Sequence, residues 1–180
     1  VRDLFRKKTD EPFDGPSDFV GAGIMCYSDQ HVLGALQATK EPPYISGLGG
    51  KREWGESFME TALREAVEEL FEPAGGAVPA ALIKDLQSIR PTRVFTTPGE
   101  YVIVAYTFTQ LEALLRIMRR HLKRSALYKS FPLTISELIL NRTIGAKNEI
   151  SHLCLLPRVG GANVHKEYMD DIAELLRGAA

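Results

Sequence analysis

Glu65, Glu68 and Glu69 stand at i, i+3 and i+4, in a run whose apolar residues Met59, Ala62, Leu63, Ala66 and Leu70 recur at the offsets of one helical face. The spacing predicts a helix whose opposite face carries three neighbouring carboxylates. Like charges so placed repel by about 0.2 to 0.5 kcal/mol per pair on an isolated helix. The repulsion grows where the face is partly buried, so a positive group should offset it. A hard divalent cation is suited to this: Mg²⁺ takes oxygen ligands in an octahedron and is commonly held by carboxylates, waters and substrate phosphates. Arg64 is placed to steady one of the carboxylates. The competing use of such glutamates is a solvated helix face.

The wider spacing favours chemistry over solvation. Gly50, five residues, Glu56, seven residues and then Arg64-Glu65-Ala66-Val67-Glu68-Glu69 form one pattern. With each fixed position matched by chance at about 7%, six matches arise at a given start about once in ten million. The pattern resembles the Nudix box, Gly-x5-Glu-x7-Arg-Glu-U-x-Glu-Glu-x-Gly-U with U a bulky apolar residue. The approach Gly49-Gly50-Lys51-Arg52-Glu53-Trp54-Gly55-Glu56-Ser57 is similar to the family's approach to its helix. Three positions depart from the family: Phe71 stands in place of glycine, Glu72 in place of an apolar residue, and Ala66 is small for its site. None of these removes a metal ligand. A glycine there permits a tight exit from the helix, so Phe71 followed by Pro73 implies a different and longer way out.

The resemblance implies an α/β fold, a Nudix-type α/β/α sandwich with a mixed β-sheet and a helical insertion. It also implies Mg²⁺ or Mn²⁺ as cofactor and a metal-dependent pyrophosphohydrolase that cleaves a diphosphate linkage in a nucleoside diphosphate derivative. Carried over residue by residue, Glu65, Glu68, Glu69 and Glu56 match metal-binding glutamates, and the Gly50 carbonyl is a further oxygen. Arg64 matches the arginine that orients carboxylates, and Glu69 is the first choice as a catalytic residue. Glu53, with Arg52 and Gly49 beside it, is expected near the phosphates. Family members often take an additional acid from a loop outside the box. Glu149 is the candidate for it and Glu100 the alternative, each with a surface carboxylate as its plainer reading.

The elements that position these residues follow from punctuation and period. Ser57 with Glu60 three residues on has the form of a capping box, which starts the helix, and Pro73 with Gly75 and Gly76 stops it. Residues 19–27 and 32–38 read as a hairpin turning at Ser28, Asp29 and Gln30. Residues 44–48 read as a short strand that delivers the chain to the diglycine. Residues 101–109 and 151–156 read as later strands. Between them lies the insertion, about 110–147. Its stripe of Leu111, Leu114, Leu115, Met118 and Leu122 faces inward, while Arg116, Arg119, Arg120, Lys123 and Arg124 cluster on the other side. A short helix is expected at 136–141, and a terminal amphipathic helix at 163–177 carries Val164, Tyr168, Ile172 and Leu175, with Gly178 past its end. Residues 1–17 read as an irregular lead-in and 18–180 as a single domain.

Five cations on one face could track RNA phosphates, and a solvated helix is the plainer use. Arg119 and Arg120 are therefore candidate substrate contacts, and an RNA 5′-end hydrolase is the alternative activity. A third reading is a non-catalytic module of this fold in a larger assembly or homodimer. Trp54 and Tyr44 flank the diglycine at positions from which a ring could stack on a base, with packing as the competing use. His31, His121, His152 and His165 show no ligand spacing.

The 180 residues, 44% hydrophobic and 25% charged with net charge -1, describe a globular chain and not a disordered or strongly basic one. Cys26 and Cys154 lie outside any CxxC spacing, so neither a disulfide framework nor a zinc knuckle is written here. A reducing, intracellular setting, cytoplasmic first and organelle or nucleus next, is expected. No run approaches a membrane span, so a membrane partner is not expected. The chain opens on Val1, which suggests a trimmed or processed chain or part of a longer one.

Overall fold

The computed structural model describes residues 16–73, 75–122, 125–145 and 148–177. Of the expected lead-in, all but the last two residues lie outside this range, as do Lys123, Arg124 and Gly178.

The expected hairpin forms from β1 (Gly21–Tyr27) and β2 (His31–Gln37). Ser28 makes the turn: its hydroxyl accepts the N–H groups of Gln30 and His31 at 3.4 and 3.1 Å. The two strands pair only at that end, Tyr27 opposite Val32, and then diverge. β1 passes to β4 (Leu48–Lys51), with Ala22 opposite Gly50 and Gly23 opposite Gly49. On its other edge β1 runs parallel to β6 (Tyr101–Thr107) along its whole length. β2 is flanked by β3 (Tyr44–Ser46) and β7 (Ile150–Pro157), both antiparallel. β5 (Arg93–Thr97) borders β6. The result is a seven-stranded mixed sheet with a fork between the β1–β4 and β2–β3 pairs.

Helices cover both faces, which makes the chain an α/β protein with helices on each side of a mixed sheet. α1 (Phe58–Phe71), α2 (Ala80–Leu86), α3 (Phe108–Leu122) and α4 (Ile135–Leu140) share the larger core, and α5 (Lys166–Arg177) seals the smaller one. The period of 3.6 placed the stripe of α3 correctly: Leu111, Leu114, Leu115 and Met118 are fully buried. α3 packs on α2, β6 and β1, so it belongs to the main core. Its start is fixed by Thr107 and Gln110, whose side chains each accept the other's backbone N–H, at 3.2 and 2.9 Å. α4 starts one residue earlier than expected because Thr134 and Glu137 form a capping box. α5 starts three residues later than expected, since Val164 is drawn into a bridge with Ile45.

Three elements escaped the sequence reading, the first being β4, since the diglycine lies inside a strand of its own and not beyond the end of a single strand at 44–48. α2 follows Pro79 with no side-chain cap and presents only Leu82, Ile83 and Leu86 to the core. β5 is a half-buried strand of five residues at the sheet edge. Among the described residues, no helix is long and apolar enough to cross a membrane.

Candidate active site

α1 begins as its sequence dictates. Ser57 accepts the Glu60 N–H at 3.3 Å, and the Glu60 carboxylate returns to the Ser57 N–H at 2.8 Å. This phase directs Leu63, Ala66, Val67 and Leu70 into the core and leaves the glutamates on the face toward β4.

The positive group that the crowded carboxylates require is Arg64. Its Nε and Nη2 donate to Glu56 at 2.6 and 3.1 Å, its Nη1 to Glu65 at 2.8 Å and Glu68 at 3.0 Å, and its Nη2 also to the Lys51 carbonyl at 2.9 Å. These bonds use the guanidinium fork in full. Burial works against this charge, but the hydrogen bonds to Glu56 and Glu65 outweigh it and hold the proton more firmly than usual. The expectation that Arg64 steadies one carboxylate is corrected to three.

Glu56 has both oxygens engaged, because Thr61 Oγ1 at 2.8 Å and the Glu53 N–H at 3.0 Å add to Arg64. Burial alone would raise its pKa, yet these bonds, Arg64 first, bring it below the usual value. In this arrangement Glu56, expected as a metal ligand, anchors the arginine. Glu65 is raised, by burial first, against the pull of Arg64.

Glu69 differs from the other three. Its Oε2 accepts the Gly49 N–H at 2.8 Å, and Arg64 does not reach it. Burial, opposed by that N–H and reinforced by Glu65 and Glu149, pushes its pKa up to about 8. The diglycine is required for this approach. A Cβ on Gly50 would sit 2.5 Å from the Glu65 carboxylate, and one on Gly49, whose φ is +150°, would strike Gly23 and Tyr101.

The end of α1 is held by residues that no local pattern announced. Buried Arg142 donates to the carbonyls of Glu69 and Leu70, each at 2.9 Å, and to that of Ile150 at 3.1 Å. It thereby satisfies the orphaned carbonyls of the turn that carries Glu69. Phe71, the departure from glycine, is fully buried and stacks on Phe131 with centroids 4.5 Å apart. The helix therefore continues through Phe71, and Glu72 takes the left-handed exit at φ 44°. Ser125 donates to the Phe71 carbonyl at 2.6 Å and Asn148 donates to the Glu72 carboxylate. The longer way out is thus built from the segment between β6 and β7.

A cleft of about 730 Å³ opens at the strand fork, with Glu69 and Gly49 among its lining residues. Glu149 also lines it and lies 3.8 Å from Lys40, both well exposed. The first turns of α5 form part of the wall with His165, Lys166, Glu167, Asp170 and Asp171. Burial, then Glu167 and Asp170, pushes Asp171 up to about 7. Tyr44 and His165, 4.7 Å apart at their ring centroids, line the cleft together. Spacing along the chain gave no signal for His165, since the bridge between Val164 and Ile45 is what brings it to Tyr44.

Other candidates lie elsewhere. Arg52 stacks over Phe19 at 4.3 Å and donates to the Glu56 carbonyl at 2.9 Å, while Glu53 and the fully exposed Trp54 border a separate shallow dent. Glu100 sits exposed on the β5–β6 turn at φ 61°. Arg116, Arg119 and Arg120 are exposed on α3, and no residue of α3 lines the cleft.

The donor set suits a hard cation. Glu65, Glu68 and Glu69 each commit one oxygen to Arg64 or Gly49, and the second oxygen of each has no hydrogen-bond partner among the described residues. Oxygen donors of this kind fit Mg²⁺ or Mn²⁺. Among the described residues, no three His, Cys, Asp or Glu side chains are gathered around one metal-sized point. Arg64 draws two of the three glutamates to itself.

A scan against models of known protein families finds no match, and neither does a search of curated proteins. Among solved structures, the chain is similar to a bifunctional NMN adenylyltransferase/ADP ribose pyrophosphatase from Francisella tularensis complexed with AMP and a Mn ion. That likeness has TM-score 0.47 and 16% identity, over 94% of this chain and 44% of that one. A second structure of that protein gives TM-score 0.46 and 16% identity, over 94% and 43%. A NUDIX family hydrolase from Clostridium perfringens gives TM-score 0.40 and 15% identity, over 89% and 97%. The chain spans less than half the length of the Francisella protein.

Proposed function

We propose that this chain is a metal-dependent hydrolase of a diphosphate linkage in a nucleoside diphosphate derivative. The observation that carries the reading is Glu69, a carboxylate buried at a cleft, tied to the diglycine by one hydrogen bond and left without a cationic partner in hydrogen-bond reach. Ionising a carboxyl so poorly compensated is costly unless a positive charge arrives, and the resemblance to the box pattern supports Mg²⁺ or Mn²⁺ as that charge. Glu69, Glu65 and Glu68 are the residues that would hold it, once their side chains turn to bring the uncommitted oxygens together. Bound there, the metal would supply Lewis acidity toward phosphate oxygens and toward water.

The chain's own residues do the rest. Gly49 fixes the Glu69 carboxylate through its N–H, Arg64 fixes Glu65 and Glu68, and Arg142 fixes the helix turn beneath them. Glu149, at the same cleft and exposed, is the candidate to take a proton from attacking water. Lys40 and Lys166 bring positive charge to the rim for the phosphates.

The test is phosphate or nucleotide release from nucleotide sugars, ADP-ribose, dinucleoside polyphosphates and capped RNA, with Mg²⁺ or Mn²⁺, by the parent and Glu69→Gln. Turnover by the parent that the variant and chelator both abolish is expected; metal-independent or unchanged turnover rejects the reading. A non-catalytic module is the second reading, favoured by the way Arg64 already neutralises the helix. Failure of every substrate, with the parent folded, selects it. RNA-end activity takes precedence only if capped RNA is preferred and neutralising Arg119 and Arg120 removes the preference.

A further inference from the structure

Glu149 lines the cleft from the residue just before β7, and the chain on either side of it is tied to the end of α1. On one side Asn148 donates to the Glu72 carboxylate, and on the other the Ile150 carbonyl accepts from Arg142 Nη2 at 3.1 Å. That same Nη2 donates to the Glu69 carbonyl at 2.9 Å. One nitrogen therefore joins the residue after Glu149 to Glu69 itself. Arg142 is only 8% exposed, and among the described residues no carboxylate lies within ion-pair distance of it. A buried guanidinium without such a partner is costly, and a helix end alone is commonly closed by a glycine. What the guanidinium adds is reach, since its planar fork bonds carbonyls of α1 and β7 at once, with the Tyr128 hydroxyl 3.3 Å behind it. The β2–β7 register also shifts here, between Leu36 and Gln37, opposite the start of β7. Such irregularities re-aim side chains and are frequent beside active sites.

We propose that Asn148 and Arg142 are positioning residues for the hydrolysis: by tying both neighbours of Glu149 to the last turn of α1, they hold the proton-accepting carboxylate of Glu149 in a fixed relation to Glu69. The role rests on the hydrolase reading and involves no contact with substrate. The Glu149 side chain is exposed, and its ion pair with Lys40 is long at 3.8 Å, so the backbone is what locates it. A shift of about 1 Å in a reacting group can cost on the order of a hundredfold in rate, so loosening either tie should be visible in kcat.

The test combines steady-state kinetics, on the substrate of the panel above that the parent turns over fastest, with calorimetric titration of Mn²⁺ in the absence of substrate. Asn148→Ala breaks an exposed bond, so Tm should stay within about 2 °C of the parent. Its kcat should nevertheless fall about tenfold, with KM and the Mn²⁺ dissociation constant each within about twofold. Glu72→Ala removes the other partner of that bond and should give the same loss, with the double variant no slower than either. Arg142→Lys also touches the turn of Glu69, so it should lower kcat and in addition raise the Mn²⁺ dissociation constant about tenfold. In a Glu149→Gln background, Asn148→Ala should cost less than about twofold, because the group it positions is gone. Unchanged kcat in Asn148→Ala, or a tenfold loss that persists beside Glu149→Gln, overturns the positioning role and leaves the hydrolase reading standing. Absence of turnover by the folded parent overturns the hydrolase reading, and the role falls with it.

Discussion

Of Glu65, Glu68 and Glu69 on α1, it is Glu69 that Arg64 does not reach, and replacing it with glutamine tests the electrostatics and the metal reading together. The folded chain holds the Glu69 proton more tightly than the unfolded chain, because burial, with Glu65 and Glu149 nearby, outweighs the Gly49 N–H. This group therefore favours folding at low pH, and that contribution is lost as pH rises from the ordinary 4.5 through about 8. At about 1.4 kcal/mol per tenfold change in proton affinity, the displacement amounts to about 5 kcal/mol. For a chain of this size, that is on the order of 10 °C in Tm. Thermal unfolding of metal-free parent and Glu69→Gln at pH 5 and pH 9 reads it directly. The two should melt close together at pH 5, and the variant should melt higher at pH 9. Mg²⁺ at about one hundred times its dissociation constant, added at pH 8, should return about 2.7 kcal/mol to the parent and little to the variant. Equal melting at pH 9, or an equal gain from Mg²⁺, refutes the reasoning.

Arg64→Lys keeps a charge but cannot reproduce the fork that bonds Glu56, Glu65 and Glu68 at once, so stability should fall by about 2 kcal/mol in denaturant titration. Gly50→Ala places a methyl 2.5 Å from the Glu65 carboxylate on a strand already paired with Ala22. Overpacking should cost about 1 to 3 kcal/mol, and steady-state kinetics should show metal-dependent turnover falling at least about tenfold. Asp171 gains its charge only near pH 7, in a cleft that also holds Glu69, Glu167 and Asp170. KM for an anionic substrate should therefore rise above pH 7 in the parent, and Asp171→Asn should remove the part of that rise that begins near pH 7 and leave the part near pH 8 that belongs to Glu69.

Much of the framework was legible in the chain itself. The Ser57–Glu60 cap, the stripe of α3 and the hairpin at Ser28 are local events, set by neighbours within four residues, and the structure keeps them. The glutamate spacing on α1 was likewise local, so its face could be read. α2, β4 and β5 were missed because short elements carry too few residues to show a period, and contacts with distant partners stabilise them.

The sequence by itself thus determined which residue types share a helical face and which turns punctuate the strands, since both depend on backbone period and side-chain reach. Only the tertiary structure decided which charges meet. It set Arg64 among three glutamates, left Glu69 to the Gly49 N–H, and brought Arg142 across 72 residues to the end of α1. The same folding placed Gln37, Tyr44 and His165 around one cleft. Those meetings depend on how the strands fork and which backbones close on one another, and such geometry is fixed only when the core packs.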